Sequence, residues 1–373
     1  MNADYIIVGA GIAGASIAYW LSRHARVLIL ERESHAGYHS TGRSAAVFIA
    51  SYGPPQVRAL SCASRAFLDH PPAGFAAHPL LTRREVLVFA HKGQEAMLDG
   101  YEALARSVSG AVRRLSAEET LLRVPVLRPD KLLGAVLETE ASDIDVDGLL
   151  QGFLRGMREQ GGQVVFDAEV QGLTRVQDAW VVRTSRGQYT APVLINAAGA
   201  WADQIGMLAG AAPLGLVPKR RSALLFDPPA GTRTEDWPMF ADIEQSFYVK
   251  PDAGLLLGSP LNADPVPPHD VQAEELDIAI AIDAIQSMTT LTVRRPRHVW
   301  AGLRSFVESG ELVGGYDRGV PGLFWAAAQG GYGIQTAPAA GMLFDAMLRG
   351  QPVPAELAAF GVTPALLDPA LIR

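Results

Sequence analysis

The sequence predicts an α/β fold, α+β overall, in which two domains interleave along the chain. With 373 residues, of which 49% are hydrophobic, the chain is longer than one hydrophobic core usually supports. Its first segment reads as a strand, a glycine turn, a helix and a second strand. Several strands in its middle follow one another without helices between them. We therefore expect one domain built on a parallel βαβ unit and another built on an antiparallel sheet.

Composition narrows the classes of partner. The formal net charge is −7 and the basic residues are scattered, which argues against a nucleic-acid surface. No apolar run approaches the roughly 20 residues of a membrane span, and the first strand begins too early for a signal peptide, so we expect a cytoplasmic protein. The single cysteine, Cys62, is expected to be a buried, inert thiol. The eight histidines never take a metal-ligand spacing, so no metal is expected.

The strongest signal is the βαβ unit "DYIIVGAGIAGASIAYWLSRHARVLILER", residues 4–32. Gly9 allows the tight turn, Gly11 lets the backbone approach a pyrophosphate, and Gly14 lets the helix pack closely on the strand. Glu31 follows about 20 residues later, where a carboxylate can accept hydrogen bonds from ribose hydroxyls. Because the strand, helix, second strand and acid agree, the unit predicts a dinucleotide site.

The segment after this unit favours FAD over NAD. An NAD enzyme would usually continue to its next helix, whereas "GYHSTGRSAA", residues 37–46, offers hydroxyls and a guanidinium suited to a second side of the pyrophosphate. The alternative is a polar surface loop with an incidental arginine. The cofactor candidates in and before this segment are Arg32, Ser40, Thr41, Arg43, Ser44 and Ala45.

The middle of the chain alternates between the two kinds of structure. Residues 142–163 carry the start and stop signals of a helix, and the strands that follow lead into "AAGAWAD". The segments "REVLVFA", "RSALLFD" and "SFYVKPDAGLLLGSP" are strands without helices between them. The cofactor candidates in this region are Val170, Gly199 and Trp201. We assign to the nucleotide-binding domain residues 1–75, 140–210 and 300–373, and to the substrate-binding domain residues 76–139 and 211–299.

A second glycine-rich turn, "AAQGGYGIQT", residues 327–336, leads into a helix near the carboxyl end. In a flavoenzyme the reacting ring lies far from the pyrophosphate, so a second loop must place N–H groups against the reduced isoalloxazine, and a helix amino terminus supplies that stabilisation. The alternative is a turn that only caps the helix. The candidates are Gly330, Gly331, Tyr332, Gly333, Ile334, Gln335 and Thr336.

Five motifs follow one another over essentially the whole length: the βαβ unit, "STGRSAA", "NAAGAW", "GLRSF" and "QGGYGIQTAP". Together they resemble the D-amino-acid oxidase superfamily of FAD-dependent amine and amino-acid oxidoreductases. Within it, "SRAFLDHPPAGF", "PKRRSA", "SFYVKPDAG", "LLLGSP" and "TLTVRRP" are similar to segments of bacterial D-arginine dehydrogenase. The resemblance implies non-covalent FAD in a Rossmann-like domain of the glutathione-reductase type, with Gly302 among the FAD contacts.

Arginine is the side chain best suited to the carboxylate of an amino acid, because its planar fork binds bidentately and stays charged. Arg304 in "AGLRSF" and Arg221 in "PKRRSALLF" are the candidates, although arginines flanked by apolar residues can equally form structural ion pairs. The resemblance implies that Arg304 and Tyr248 bind the carboxylate and that Arg221 lies beside them. It also implies that Tyr52 lies on a mobile loop over the active site and that Gly331 contacts the substrate amine.

The implied reaction is the oxidative deamination of D-amino acids. The α-hydrogen leaves as hydride to flavin N5, and water hydrolyses the resulting imine to a 2-oxo acid and ammonia. We expect a broad range of substrates, with basic and large apolar side chains among the best. The expected partners are this small substrate and an electron acceptor, either a quinone or oxygen. A monomer is expected, and a peripheral contact with a membrane is left open.

The sequence departs from D-arginine dehydrogenase in two places. Val47 stands where that enzyme carries a histidine near the flavin, so the role of the histidine is not carried over. The glutamate that receives the cationic end of arginine aligns with Glu85 only if a one-residue gap is placed. Because Arg83 and Arg84 stand beside Glu85, a surface ion pair is an equal alternative.

Two other functions stay open. The same fold could oxidise a 2-hydroxy acid, or an amine of the sarcosine, proline or glycine type, because two arginines hold any carboxylate. The chain could also be a flavin-binding subunit without chemistry of its own.

Overall fold

The structure is a computed structural model that describes residues 2–372. Its strands are β1 (Tyr5–Val8), β2 (Val27–Leu30), β3 (Val47–Phe48), β4 (Leu81–Arg83), β5 (Val86–His91), β6 (Val112–Ser116), β7 (Leu132–Glu138), β8 (Ser142–Ile144), β9 (Gln163–Val165), β10 (Val170–Val176), β11 (Ala179–Thr184), β12 (Gly187–Ala191), β13 (Val193–Asn196), β14 (Val217–Phe226), β15 (Met239–Asp242), β16 (Tyr248–Asp252), β17 (Leu255–Ser259), β18 (Asp264–Pro265), β19 (His298–Phe306), β20 (Val313–Tyr316) and β21 (Leu323–Ala327).

The described α-helices are α1 (Ile12–Leu21), α2 (Pro55–Asp69), α3 (Glu95–Val108), α4 (Ala117–Arg123), α5 (Val146–Glu159), α6 (Ala202–Leu208), α7 (Glu275–Met288), α8 (Gly333–Leu348) and α9 (Ala355–Ala358). Short 3₁₀ turns lie at Gly199–Trp201, Pro364–Leu367 and Pro369–Leu371. None of the described helices is long and apolar enough to cross a membrane.

A six-stranded sheet forms the nucleotide-binding half, in the order β20, β21, β13, β1, β2, β9. Its strands are parallel except for the antiparallel pair of β20 and β21. Side chains alternate across it: Ile7 and Ile29 pack toward α1, α5 and α8, whereas Ile6 and Leu28 pack toward α6 and the small sheet of β10 to β12. Both faces are therefore buried, as the apolar strands require. The predicted βαβ unit is confirmed.

Two glycines fix the turn between β1 and α1. Gly9 has φ +104°, and a Cβ there would lie 2.6 Å from the carbonyl oxygen of Ala197. A Cβ on Gly14 would lie 2.0 Å from the carbonyl oxygen of Gly9. Only glycine fits either position, so α1 begins directly behind the strand end.

A nine-stranded sheet forms the other half and is antiparallel except for the parallel pair of β5 and β15. Strand β14 pairs with β19, β18 and β17, and from β17 the order continues through β16, β15, β5 and β7 to β6. One face packs against α4 and α7 through residues such as Phe89, Phe240 and Val249. The other face carries Val86, Val88 and Tyr248, which line the cavities described below.

The two sheets also show where the predicted division of the chain departs from strand pairing. Strand β19 pairs with β14 along its whole length, although the predicted division places residues 300–306 in the nucleotide-binding domain. Strand β4 pairs with β8 across the predicted boundary between residues 139 and 140. Apolar patterns identify a strand but not its partner, so the sequence could not place these segments. The assignment of whole ranges to two domains stays a prediction.

Cys62 is half-buried and unpaired, and burial raises the pKa of its thiol. Among residues 2–372, His, Cys, Asp and Glu side chains do not gather into a group that could hold a metal ion.

Candidate active site

Three adjoining cavities run from the carboxyl ends of β1 and β2 to the nine-stranded sheet. We call them the nucleotide cleft, of about 440 Å³, the central chamber, of about 80 Å³, and the apolar cavity, of about 490 Å³. The cleft and the chamber share Thr41 and Gly330 among their lining residues, and the chamber and the apolar cavity share Arg304 and Gly331. The three cavities therefore form one elongated site.

Backbone groups shape the nucleotide cleft. Ala10 N–H donates to Glu31 Oε2 over 2.6 Å, and Ile12 N–H donates to Thr41 Oγ1 over 3.1 Å. Gly11 has an ordinary φ of −73°, and a Cβ there would meet only Thr41 Oγ1, at 3.4 Å. Because Gly11 has no side chain, the cleft stays open at the start of α1, where a phosphate can approach the helix N-terminus.

Most predicted cofactor residues line these cavities. The cleft is lined by Gly9, Gly11, Glu31, Arg32, Ser40, Thr41, Val170, Gly199, Trp201 and Gly330. The chamber is lined by Ser40, Thr41, Arg43, Ser44, Ala45, Gly302, Gly330, Gly331, Gly333 and Ile334. Of the remaining predicted cofactor residues, Tyr332 and Gln335 line the apolar cavity.

Three of the predicted cofactor residues make contacts that support the structure. Gly14 packs against the backbone of Gly9, and Thr336, which is fully buried, donates its hydroxyl to the carbonyl of Tyr332 over 3.0 Å. The Gln335 amide is buried and donates to Ser61 Oγ over 2.7 Å. The sequence motif identified their segments but could not separate residues that face a ligand from residues that support the loop.

The guanidinium of Arg43 is also occupied, contrary to its predicted role beside the pyrophosphate. It forms an ion pair with Asp270 and donates to the carbonyl oxygens of Val271, over 2.7 Å, and Ala301, over 3.3 Å. Arg43 therefore anchors its loop to the second half of the molecule. These observed partners lie more than 200 positions away in the sequence, so a local pattern could not reveal them.

Arg304, Tyr52 and Gly331 meet at the boundary of the chamber and the apolar cavity. A Cβ on Gly331 would lie 2.9 Å from the Tyr52 hydroxyl and 3.0 Å from Arg304 Nη1. The absence of a side chain at 331 therefore lets both polar groups approach the turn before α8. The Tyr52 ring packs edge-on against Tyr332, with 5.2 Å between the ring centroids.

Arg221 lies beside Arg304 and is only partly satisfied. Its Nε donates to the carbonyl of Asn262 over 2.6 Å, whereas its Nη1 is buried without a hydrogen-bond partner. Burial, and then the charge of Arg304, lowers the pKa of Arg221 to about 10, so the side chain stays charged at neutral pH. Within residues 2–372, no carboxylate lies within ion-pair distance of either guanidinium. Two unpaired positive charges beside one chamber favour an anionic ligand.

Tyr248 completes this end of the site. It is 5% exposed and stands on β16 opposite Ser259 of β17. Burial raises the pKa of its hydroxyl, so Tyr248 is a neutral hydrogen-bond donor rather than a phenolate. The structure thus brings Arg304, Arg221, Tyr248, Tyr52 and Gly331 together.

The structure does not bring Glu85 to this site. Arg83 donates to Glu85 Oε1 over 3.0 Å, and Arg123 forms an ion pair with Oε2. The next residue, Val86, lines the apolar cavity, and adjacent residues of an extended chain point to opposite faces. The prediction that the Glu85 carboxylate faces the substrate site is therefore wrong.

Sequence reasoning missed several residues of the site. Gln329 lines both the cleft and the chamber, and its Nε2 is buried without a hydrogen-bond partner. It lies inside the quoted motif "AAQGGYGIQT", so the motif could have indicated it. No local signal marks the part of the apolar wall that is formed by Val86, Val88, Leu104, Met239 and Ala241.

Comparison with known proteins is consistent with this geometry. Residues 4–347 match the family model described as DAO: FAD dependent oxidoreductase. L-2-hydroxyglutarate dehydrogenase of Escherichia coli is 27% identical over 223 residues, which are 56% of this chain and 50% of that protein. The chain thus spans about half the length of that relative. FAD-dependent oxidoreductase domain-containing protein 1 of Bos taurus is 26% identical over 400 residues, which are 91% of this chain and 80% of that protein.

Among solved structures, glycine oxidase from Geobacillus kaustophilus superposes with a TM-score of 0.82 at 21% identity. The superposition covers 97% of this chain and 98% of that one. It confirms the mixed α/β fold over essentially the whole length.

Proposed function

The chain belongs to the DAO family of FAD dependent oxidoreductases, and on this premise we propose that it oxidises D-amino acids with a broad range of side chains to 2-oxo acids and ammonia. One observation carries the proposal: the unpaired guanidinium groups of Arg304 and Arg221 border the same chamber. A substrate carboxylate would satisfy the orphaned Nη1 of Arg221 and offset the repulsion between the two arginines.

The described residues fit FAD, the cofactor of the family. The cleft around Gly11 and Glu31 suits the adenosine diphosphate half, and the unpartnered Gln329 Nε2 offers a donor where the cleft meets the chamber. The N-terminus of α8, at Gly333, borders the chamber, where its free N–H groups would stabilise negative charge. When bound, FAD supplies the acceptor for a hydride.

The chain's own residues position the substrate. Arg304, Arg221 and Tyr248 would hold the carboxylate, and the backbone at Gly331 would contact the amine. With these two groups fixed, only one hand of the amino acid presents its α-hydrogen to the cofactor, which is the basis for D selectivity. The substrate loses that hydrogen as hydride, its amine becomes an imine, and water hydrolyses the imine to a 2-oxo acid and ammonia.

The side chain of the substrate would enter the apolar cavity. The wall formed by Val86, Val88, Leu104, Met239 and Ala241 favours large apolar groups through burial of their surface. Tyr52 stands between this cavity and the chamber, where it would shield the reacting atoms from water.

Oxidation of a 2-hydroxy acid is the second candidate, and the similarity to L-2-hydroxyglutarate dehydrogenase favours it. An alcohol must lose its hydroxyl proton as the hydride leaves, which calls for a general base. Among the described residues that line the chamber, none is His, Asp, Glu or Lys. An amine needs no such base if it binds in its neutral form, so the chamber supports the amine reaction better.

A product assay tests the proposal. Purified holoenzyme and an artificial electron acceptor are incubated with D-amino acids, L-amino acids, sarcosine, proline and 2-hydroxy acids, and 2-oxo acid and ammonia are measured. We expect both products in equal amounts from D-leucine, and ammonia from D-lysine, whose 2-oxo acid cyclises with its own ε-amine. Product from a 2-hydroxy acid without ammonia would favour the second candidate. Absence of acceptor reduction with every compound would favour a flavin-binding subunit.

The natural electron acceptor, a quinone or oxygen, is part of the same proposal. Stopped-flow reoxidation of the reduced holoenzyme in air-saturated buffer separates the two, because a dehydrogenase would reoxidise far more slowly than it turns over.

A further inference from the structure

We propose that Glu138 selects substrates whose side chain ends in a cation, acting through the hydroxyls of Ser51 and Tyr101; this inference rests on the proposed function. The three residues form one hydrogen-bonded group at the wall of the apolar cavity. No local pattern indicates this group, because its members come from a loop, a strand and a helix far apart in the chain.

The contacts of this group are short and converge on one atom. Ser51 Oγ donates to Glu138 Oε1 over 2.7 Å, and the Tyr101 hydroxyl donates to the same oxygen over 2.5 Å. Ser51 and Tyr101 both line the apolar cavity, whereas Glu138 lines a separate cavity that Arg65 and Asp69 also line, so the two hydroxyls connect Glu138 to the ligand space.

Strand register places Glu138 on the cavity side of the sheet. It pairs with Val86 across the antiparallel strands β7 and β5. Directly opposed residues point to the same face, and Val86 lines the apolar cavity. Strand β19, which carries Arg304, lies at the opposite edge of the sheet. A carboxylate and an arginine pair therefore stand toward opposite ends of the substrate space.

The charge of Glu138 has no protein partner. The residue is 4% exposed, and within residues 2–372 no Lys, Arg or His lies within ion-pair distance of its carboxylate. The nearby Arg65 pairs instead with Asp69. Burial raises the pKa of the Glu138 carboxyl, which is the sign of a charge that lacks compensation. A buried unpaired carboxylate is costly, and a ligand cation would offset that cost.

The two hydroxyls transmit this preference to the cavity. Each has a single hydrogen and donates it to Glu138, so toward a ligand each can only accept. Burial and the charge of Glu138 raise the pKa of Tyr101 well above its usual value, so Tyr101 keeps its proton. The wall thus presents acceptor oxygens backed by negative charge. An ammonium or guanidinium group fits it, whereas a carboxylate does not.

The apolar wall leads up to this acceptor end. Residues Val86, Val88 and Leu104 line the same cavity and would contact the methylene groups of a long side chain. This arrangement accounts for a preference that includes both basic and large apolar substrates: the wall binds the stem of either, and Glu138 adds affinity for the cationic end.

The test compares two ligands that lack the α-amine on which the proposed reaction acts. 6-Aminohexanoate is D-lysine without its α-amine, and hexanoate is its uncharged-tail counterpart. Each is titrated into holoenzyme while the flavin absorbance is followed, which reports binding without turnover. Glu138→Gln keeps an acceptor oxygen for Ser51 and Tyr101 but removes the charge. We expect this variant to lower the affinity for 6-aminohexanoate roughly tenfold to hundredfold, which is the range of a charge-assisted hydrogen bond. Its affinity for hexanoate should change less than about twofold.

Two further variants control the experiment. Glu140→Gln removes an exposed carboxylate two residues away and should leave both affinities unchanged. Tyr101→Phe removes one of the two acceptor hydroxyls and should lower the affinity for 6-aminohexanoate but not for hexanoate. This variant serves as the test if Glu138→Gln does not fold.

Equal weakening of the binding of both ligands by Glu138→Gln would mean that Glu138 only holds the loop that carries Tyr52, and unchanged affinity for both ligands would mean that the cation binds elsewhere. Either result overturns the inference. Failure of this inference can be told from failure of the proposed function. If D-amino acids do not reduce the flavin but Glu138→Gln still lowers the affinity for 6-aminohexanoate relative to hexanoate, the proposed function is wrong and the recognition of a cation by Glu138 stands.

Discussion

The nucleotide cleft and the apolar cavity are built by different means. The cleft depends on the backbone, because Gly9, Gly11 and Gly14 let a strand, a helix and a ligand come close together. The cavity depends on side chains from strands far apart in the sequence, such as Val86 on β5 and Met239 on β15. A substitution in the cleft should therefore decide whether FAD binds at all, whereas a substitution around the cavity should change which substrate is used while FAD stays bound.

The largest expected effect is loss of FAD in Gly11→Val. The backbone at Gly11 has φ −73°, and the new Cβ would meet only Thr41 Oγ1, at 3.4 Å, so the chain should fold. The side chain would project into the cleft and displace the pyrophosphate. We expect colourless protein with less than about a tenth of the normal FAD and an unchanged circular dichroism spectrum.

Gly110→Val is the matched control. A Cβ at 110 would meet no atom within 4 Å, so this variant should remain yellow. Full FAD content in Gly11→Val would contradict the position assigned to the nucleotide.

The next largest effect is expected for Arg304→Ala, which should keep its FAD. Leaving a desolvated carboxylate unpaired costs about 3–5 kcal/mol, or roughly two to three and a half decades in kcat/KM for D-leucine. The loss should be much smaller for 3-methylbutan-1-amine, which is the same substrate without its carboxylate. Steady-state kinetics on both compounds measure the difference.

Arg233→Ala removes an arginine whose side chain is 84% exposed and should have no effect on either compound. If Arg304→Ala lowers kcat/KM equally for the amine and the amino acid, Arg304 does not bind the carboxylate.

A smaller effect is expected for Gly331→Ala, which tests the junction between the two regions. The added methyl group would lie 2.9 Å from the Tyr52 hydroxyl and 3.0 Å from Arg304 Nη1, so both side chains must shift. We expect kcat/KM for D-leucine to fall roughly tenfold to hundredfold through misplacement of the substrate, with FAD content preserved. Unaltered kinetics would show that the close approach of Tyr52 and Arg304 at this turn does not matter for the reaction.

The smallest effect is expected for Glu85→Gln. Its partners are exposed surface arginines, Arg83 and Arg123, so the free energy of unfolding should change by about 1 kcal/mol or less. The ratio of kcat/KM for D-arginine to that for D-leucine should stay within about twofold of the wild-type value. A selective loss on D-arginine would restore Glu85 to the substrate site.

The contrast between the two regions also explains how far sequence alone could predict them. The βαβ unit was predictable because a tight turn and a close helix contact require glycine at fixed spacing. The convergence of Arg304, Arg221 and Tyr248 could be inferred only from resemblance, since the three residues lie on different strands, β19, β14 and β16.

Orientation was the main thing that sequence could not supply. Glu85 and Val86 are neighbours on one extended segment, and a shift of one position exchanges the side chain that faces the cavity. The carboxylate that does lie on that face, Glu138, is paired with Val86 across the sheet and is more than 50 positions away in the sequence. No local pattern could have identified it.

The most direct test of the central claim is anaerobic mixing of the holoenzyme with single enantiomers while the flavin absorbance is recorded. The arginine pair and the turn at Gly331 should fix one hand of an amino acid for hydride loss. We predict that D-leucine bleaches the flavin fully without any added partner, and that L-leucine and 2-hydroxy-4-methylpentanoate leave it oxidised over the same time. Bleaching by the 2-hydroxy acid but not by D-leucine would contradict the account.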